Sequence, residues 1–204
     1  MNKKKAQKMF KAALTYCEKN HKSELECARN INPDTFKNLT VKEFLEEYCW
    51  VVYTSNFKVK TIEALFPRLQ KAFLNFDLAA LAQMRSLTAV LTVFKNKIKA
   101  NCFFKGSKAI AAEGFSTFKR RLEKQGINIL EELPGIGPIT KCLLARNIGL
   151  ADVEKRDIWL KRASKACNAS VSEFVTFLSK HNKEKRGVVD VVIWRYGAEK
   201  KFGL

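Results

Sequence analysis

The sequence predicts an all-α protein, on three observations. Apolar residues return every three or four positions along most of the chain, strand-like alternation is scarce, and Ser, Thr, Asp and Asn stand where helices would begin. With 204 residues, 47% of them hydrophobic, the chain can bury a substantial core in one large or two small domains.

The elements follow in order. Lys3 to Lys19 reads as an amphipathic helix with Met9, Ala12, Ala13 and Tyr16 on one side. A shorter helix is expected over Lys22 to Ala28, and Asn30 to Asn38, with Pro33 among several Asn, reads as a boundary. Thr40 opens a strong helix. Glu43 stands three residues on, which is the spacing of a capping box, and Val41, Phe44, Leu45, Tyr48, Cys49 and Val52 share one face. Pro67 is expected to separate Val59 to Leu65 from Leu69 to Leu74, because a proline removes a helical hydrogen bond. Asp77 caps Leu78 to Gln83.

Ser86 to Ala100 reads as one long helix, with Leu87, Val90, Leu91, Phe94 and Ile98 inward and Lys95, Lys97 and Lys99 outward. Cys102 to Gly106 is expected to interrupt or end it, with Ile110 to Ala112 and Phe115 to Lys124 beyond. Further helices are expected from Asp157 to Ala166 and from Val171 to His181. Val188 to Trp194 is β-branched enough for a strand. A single strand would have no partner, so a buried helix is predicted. The chain carries no repeats.

Thirty-eight basic residues against 20 acidic ones leave a net charge of +18. Such a field favours polyanions, nucleic acid first. An anionic membrane surface comes second, but no stretch reads as a transmembrane span. The six cysteines (Cys17, Cys27, Cys49, Cys102, Cys142, Cys167) include no Cys-x-x-Cys pair. That predicts reduced, buried thiols in an intracellular protein, neither a disulfide framework nor a zinc site. Met1 to Lys5 is basic but no apolar core or cleavage site follows, so no secretory signal is read there. The expected location is cytoplasmic, nucleoid-associated in a bacterium or archaeon, and the expected state is a monomer. His21 and His181 lie among polar residues and are expected to face solvent.

Leu133-Pro134-Gly135-Ile136-Gly137-Pro138 lies between two amphipathic runs, Ile127 to Glu132 and Ile139 to Ile148. Two helices joined by a Gly-x-Gly turn make a helix-hairpin-helix. Its glycines allow backbone dihedrals closed to other residues and let a phosphate come close. Amides of the turn and of the next helix's first turn point outward with the helix dipole behind them, an anion site for which DNA backbone is the usual ligand. Pro138 suits the first turn of the second helix, and Lys141, one turn in, is expected to reach the same phosphate. The plain alternative is a Pro/Gly turn between packed helices.

Glu132 to Ala163 resembles the helix-hairpin-helix DNA glycosylase superfamily, the endonuclease III-like base-excision repair enzymes. That family sets a Leu-Pro-Gly-Val-Gly hairpin ahead of a helix, then a short loop, then an Asp opening the next helix. Here the Asp is Asp157, within Val153 to Arg162. Upstream, Glu43-Phe44-Leu45 through Thr54-Ser55-Asn56 is similar to the family's buried helix, which ends in a Thr/Ser-Gln-Asn/Gln-Thr element beside the flipped base. The resemblance implies two helical subdomains flanking a DNA-binding cleft. One spans residues 39–143 and ends in the hairpin; the other joins 1–38 to 144–204 and carries Asp157. It implies double-stranded DNA as partner, with backbone contacts at Gly135, Ile136, Gly137, Ile139 and Lys141. It implies a base pocket drawn from Trp50, Tyr53, Ser55, Asn56, Phe57 and Trp159. Relatives often place a wedging Gln where Ser55 stands. Some carry an iron–sulfur cluster on four C-terminal cysteines. Here none follows Cys167, so no cluster and no other metal centre or cofactor is expected. A monovalent cation on the hairpin's backbone carbonyls is the one ion the resemblance allows.

Cleaving an N-glycosidic bond builds positive charge on the sugar, and a carboxylate beside C1′ stabilises that charge and orients water. Asp157 is the residue implied for this role, and an N-cap for Ile158 to Ala166 is its plain alternative. Bifunctional relatives carry a Lys two positions after the hairpin's second Gly, which forms a Schiff base with C1′. Here that position is Ile139. Lys141, two residues further, is turned about 200° around a helix, and Lys155 is only near in sequence. The expectation is a monofunctional DNA glycosylase acting on a damaged or modified base in duplex DNA. The alternatives are a non-catalytic helix-hairpin-helix DNA-binding protein and a bifunctional glycosylase/AP lyase with a relocated lysine.

Overall fold

A computed structural model describes residues 1–203, and all their regular structure is helical. Helices α1 (Lys3–Asn20), α2 (Lys22–Asn30), α3 (Pro33–Asn38), α4 (Val41–Thr54) and α5 (Val59–Ala72) come first. Then come α6 (Leu78–Gln83), α7 (Thr88–Val93), α8 (Lys97–Glu113), α9 (Phe115–Gln125) and α10 (Thr140–Asn147). The last are α11 (Ile158–Ala166), α12 (Val171–Asn182) and α13 (Arg186–Lys200). Among the described residues no helix is long and apolar enough to cross a membrane. The chain folds as two compact units, Phe36–Leu150 and Met1–Thr35 with the chain from Ala151 onward.

The discontinuous unit is built around α13. Val188, Val189, Val192 and Ile193 are fully buried there against Phe10, Ala13 and Cys17 of α1, Leu160 and Ala163 of α11, and Phe174 and Leu178 of α12. A β-branched run this buried on all sides keeps its helical hydrogen bonds and packs its branches against other helices, so tertiary burial overrides strand propensity.

The continuous unit is built around α4. Phe44, Leu45, Tyr48, Cys49, Val51, Val52 and Tyr53 are all buried. Thr40 and Glu43 make both bonds of the capping box, and Asp77 caps α6 through the Ala80 N–H at 2.8 Å. Aromatic rings fill the space between α4 and its neighbours: Phe44 meets Phe118 edge to face at 5.3 Å, and Phe73 meets Phe103 at 4.6 Å.

Several boundaries differ from the sequence expectation. Residues 33–38 form α3 rather than a plain linker: Pro33 occupies the first helical position and the Asn32 side chain accepts from the Asp34 N–H at 2.8 Å. The division between units falls inside α3. Pro67 does not divide α5. It sits on the exposed side, while Ile62, Phe66, Leu69 and Phe73 continue one apolar stripe across it. Residues 86–100 are not one helix. Asn96 stops the pattern and caps α8 through the Lys99 N–H at 3.1 Å, which turns the helical phase. Ile98 is therefore 77% exposed and Lys99 points inward. Cys102 to Gly106 runs through the middle of α8 without a break. The run Ile127–Glu132 is a 3₁₀-helix. Residues 144–150 stay with the continuous unit, because α10 runs to Asn147 and the Leu150 N–H closes on the Ala145 carbonyl at 2.9 Å.

Candidate functional site

The Leu133–Pro138 stretch is a tight turn followed by the start of α10. The Ile136 N–H donates to the Leu133 carbonyl at 3.0 Å, and Gly135 has φ +86° behind Pro134, which is a type II turn. Gly135 is required twice over. Its φ suits glycine, and a Cβ there would stand 3.1 Å from Cys102 Cβ and 3.3 Å from Val52 Cγ2. Gly137 differs. Its φ lies outside the left-handed region and an added Cβ would meet nothing within 4 Å. Its N–H donates to Thr140 Oγ1 at 2.8 Å, so this amide is not free as the sequence suggested. Among the described residues, the N–H groups of Gly135, Ile139 and Thr140 have no acceptor. Of the hairpin's backbone carbonyls, where a cation was expected, Leu133 accepts from Ile136 N–H, Pro134 from the Tyr48 hydroxyl, and Gly137 from both Lys141 N–H and the Thr140 hydroxyl.

The turn is anchored from beneath. The buried Tyr48 hydroxyl lies 2.6 Å from the Pro134 carbonyl and 3.0 Å from that of Cys102. Gly106 makes this reach feasible, since a Cβ there would fall 2.2 Å from the hydroxyl. Glu47, on the same helix, accepts from the Asn147 side chain at 2.8 Å and ties α4 to α10; burial pushes its carboxyl above the ordinary range against the pull of that bond. Arg121 bridges Glu113 and Glu132 at the edge of the turn. Lys141 is not free for a phosphate. Its ammonium pairs with Glu131 and donates to Asn128 Oδ1 at 2.7 Å. Ile139 projects, 43% exposed.

Asp157 belongs to the other unit and is the N-cap of α11. Its Oδ1 accepts from the Trp159 and Leu160 N–H groups at 2.9 and 3.0 Å. Its Oδ2 takes no part in the cap and faces Lys155 Nζ at 3.7 Å, with 12% of the side chain exposed. The loop that carries it has no regular structure and is pinned by three other carboxylates. Asp152 accepts from Arg186 N–H at 3.0 Å and Gly187 N–H at 2.9 Å, capping α13 from outside its own segment. Glu154, buried, binds the Arg186 guanidinium at 2.8 Å and faces Arg156 at 3.4 Å. Buried Asp190 accepts from the Lys155 N–H at 2.9 Å. Burial pushes the Glu154 carboxyl up, but the Arg186 hydrogen bond and both guanidinium charges outweigh it and leave it below its usual range.

The six base-pocket residues do not share one environment. Tyr53 is a core residue, fully buried against Phe73 and Phe94, with a hydroxyl that has no partner among the described residues. It offers a base no open face. Trp50 is half-buried, edge to face with Phe66 at 5.3 Å. Ser55 ends α4, Asn56 takes a left-handed φ of 60°, and Phe57 is 40% exposed. Trp159, in the other unit, lies against Phe202, and a Cβ on Gly197 would fall 2.9 Å from its ring. Arg162 stands over it at 5.0 Å.

Two expectations about exposure, for His21 and Cys27, are corrected, and the one for His181 agrees with the structure. His21 is turned inward: Nε2 is 3.1 Å from Glu199 Oε1, whose other oxygen accepts from the Tyr16 hydroxyl at 2.5 Å. His181 is exposed and stacks on Phe177. Cys17, Cys49 and Cys167 are buried, and burial pushes the Cys17 thiol up to about 12, but Cys27 is exposed. Sequence reasoning missed Asp152, Glu154 and Asp190. Their only sequence signal is two acids before α11 and one inside an apolar run, which does not name their partners. In comparisons with known proteins, the chain matches no family model, no curated protein and no solved structure.

Proposed function

We propose that the protein is a monofunctional DNA glycosylase that binds duplex DNA through a helix-hairpin-helix at residues 127–147 and excises a damaged or modified base by hydrolysis. The observation that carries this reading is Gly137. The fold asks for glycine at Gly135 but not at Gly137, where the φ is ordinary and the space is open. A glycine that the fold does not need, beside three unengaged amides at the start of α10 and its turn, fits the close approach of a phosphate. Asp157 supplies the chemistry. One oxygen fixes the side chain as a cap, and the second remains for the cationic sugar or its attacking water.

Gly137→Ala tests the binding half. It should fold with unchanged or slightly raised stability, by about 0.5 kcal/mol, and bind duplex DNA more weakly; unchanged binding would remove the hairpin from the interface. The catalytic half is tested with duplexes that each hold one modified base, measuring released base before and after alkali. Release without strand breaks is expected for at least one lesion. No release across the panel leaves the protein a non-catalytic DNA binder.

One observation favours a second reading. Lys155 Nζ faces the free oxygen of Asp157 at 3.7 Å, so an amine and a carboxylate stand together although Ile139 occupies the usual lysine position. If borohydride traps a protein–DNA adduct that Lys155→Ala abolishes, the enzyme is bifunctional through Lys155.

A further inference from the structure

Two stretches of the continuous unit repeat one pattern, Phe-Lys-x-Lys. They are Phe57-Lys58-Val59-Lys60, after α4, and Phe94-Lys95-Asn96-Lys97, leading into α8. The fold brings them together. The Phe57 and Phe94 rings meet edge to face, 5.1 Å between centroids at 76°. Lys99 makes a second tie: its ammonium donates to the Val52 carbonyl at 2.6 Å and the Ser55 carbonyl at 2.7 Å, and stands 5.0 Å from the Phe57 ring centre. Those carbonyls are the negative end of α4, where a lysine is favourable.

The resulting corner is basic and aromatic. Lys58, Lys60, Lys95 and Lys97 are exposed, and among the described residues none is paired with a carboxylate. No Asp or Glu occurs between Thr54 and Ile62 or between Phe94 and Ala112. Phe57 keeps 40% of its surface open beside these lysines. An exposed ring gains little from a stacked duplex, whose base faces already cover each other. An unpaired base offers a free face, and the flanking phosphates answer the lysines.

We propose that this corner binds an unpaired stretch of nucleic-acid strand, with Phe57 stacking on a base and the four lysines meeting the phosphates beside it. The inference rests on the reading that DNA is the partner, and names a contact of different chemistry from the hairpin's. The test is fluorescence anisotropy of the full chain with a labelled thymidine strand and a labelled duplex without any modified base, which leaves a base pocket empty, each of roughly a dozen nucleotides or base pairs. Phe57→Ala should weaken single-strand binding about tenfold while the duplex affinity changes less than about twofold, and Phe57→Trp should restore it. Replacing Lys95 and Lys97 together by Ala should lower the slope of log K against log salt on the single strand by about 1.4, or about 0.7 for each lysine.

Equal affinity in Phe57→Ala, equal losses on both ligands, or no rescue by Trp overturns the proposal. So does a Phe57→Ala variant that keeps the single strand but loses phosphatidylserine vesicles, which would make the corner a lipid contact. Failure of the DNA reading itself looks different: wild type then binds neither ligand.

Discussion

Two buried tyrosines on α4, five residues apart, show how one side-chain atom decides a residue's value. The Tyr48 hydroxyl reaches the Pro134 carbonyl at 2.6 Å, whereas the Tyr53 hydroxyl has no partner among the described residues. Desolvation pushes both phenols well up, so neither ionises near neutral pH. Tyr48→Phe should therefore destabilise by about 1–2 kcal/mol and loosen the turn, because it leaves a buried carbonyl with one bond fewer. Tyr53→Phe should be neutral or stabilising by about 1 kcal/mol, since it removes an unmade hydrogen bond at constant shape. The denaturant midpoint should fall in Tyr48→Phe and hold or rise in Tyr53→Phe; a fall in both would show that the Tyr53 hydroxyl has a partner. Asp157 separates two roles in the same way. Asp157→Asn keeps the acceptor that caps α11 and loses the charge, so stability and duplex binding should hold while base release falls by orders of magnitude. Asp157→Ala should also cost about 1 kcal/mol of stability for the cap. Wild-type base release in the Asn variant would reduce Asp157 to a cap.

At the scale of elements, what was legible in the sequence was whatever depends on neighbours close along the chain. The capping box at Thr40, the Asp77 cap and the presence of a Pro/Gly turn at Pro134-Gly135 are local, and the residues nearby read them. The break at Asn96 was not legible, because Leu87 to Ile98 keeps a helical period that the chain abandons when Lys99 caps a distant helix. Nor was the loop before α11, whose order comes from residues some thirty positions away: Asp152 on Arg186 and Gly187, and Lys155 on Asp190. Asp152→Ala strips α13 of its cap and should cost about 1–2 kcal/mol. Trypsin should then cut faster after half-buried Lys155 or exposed Arg156 on that loop; an unchanged cutting rate would mean the loop is held without Asp152. The same loop sets an acid limit. The folded Glu154 carboxyl lies below its usual range, so its contribution is complete above the unfolded value of about 4.3 and is lost as pH falls through the lower folded value. The melting temperature of Glu154→Gln should be lower at neutral pH but fall less than that of wild type below about pH 4.

At the scale of the whole molecule the excess of basic residues is the dominant feature, and its effect is separable from that of the hairpin. A net +18 spread over exposed lysines supplies a long-range attraction to any polyanion, which salt screens. Each phosphate that a lysine or arginine neutralises releases counterions, so duplex affinity should fall as a straight line in log salt with a slope of about −0.9 per contact. On the proposed reading the hairpin acts through backbone amides, which release no such ions. Gly137→Ala should therefore lower the line without tilting it. Lys141 provides the sharper case. The sequence placed it on a phosphate, which predicts a slope change of about 1 on removal, but its ammonium is already engaged by Glu131 and Asn128. Lys141→Ala should leave the slope within about 0.3 of wild type and show instead as a small loss of stability, because it leaves Glu131 unpaired beside the turn. A full unit of slope would mean that Lys141 abandons that pair for the phosphate when DNA binds. A wild-type affinity that is flat in salt would remove DNA, and with it the whole reading of the charge.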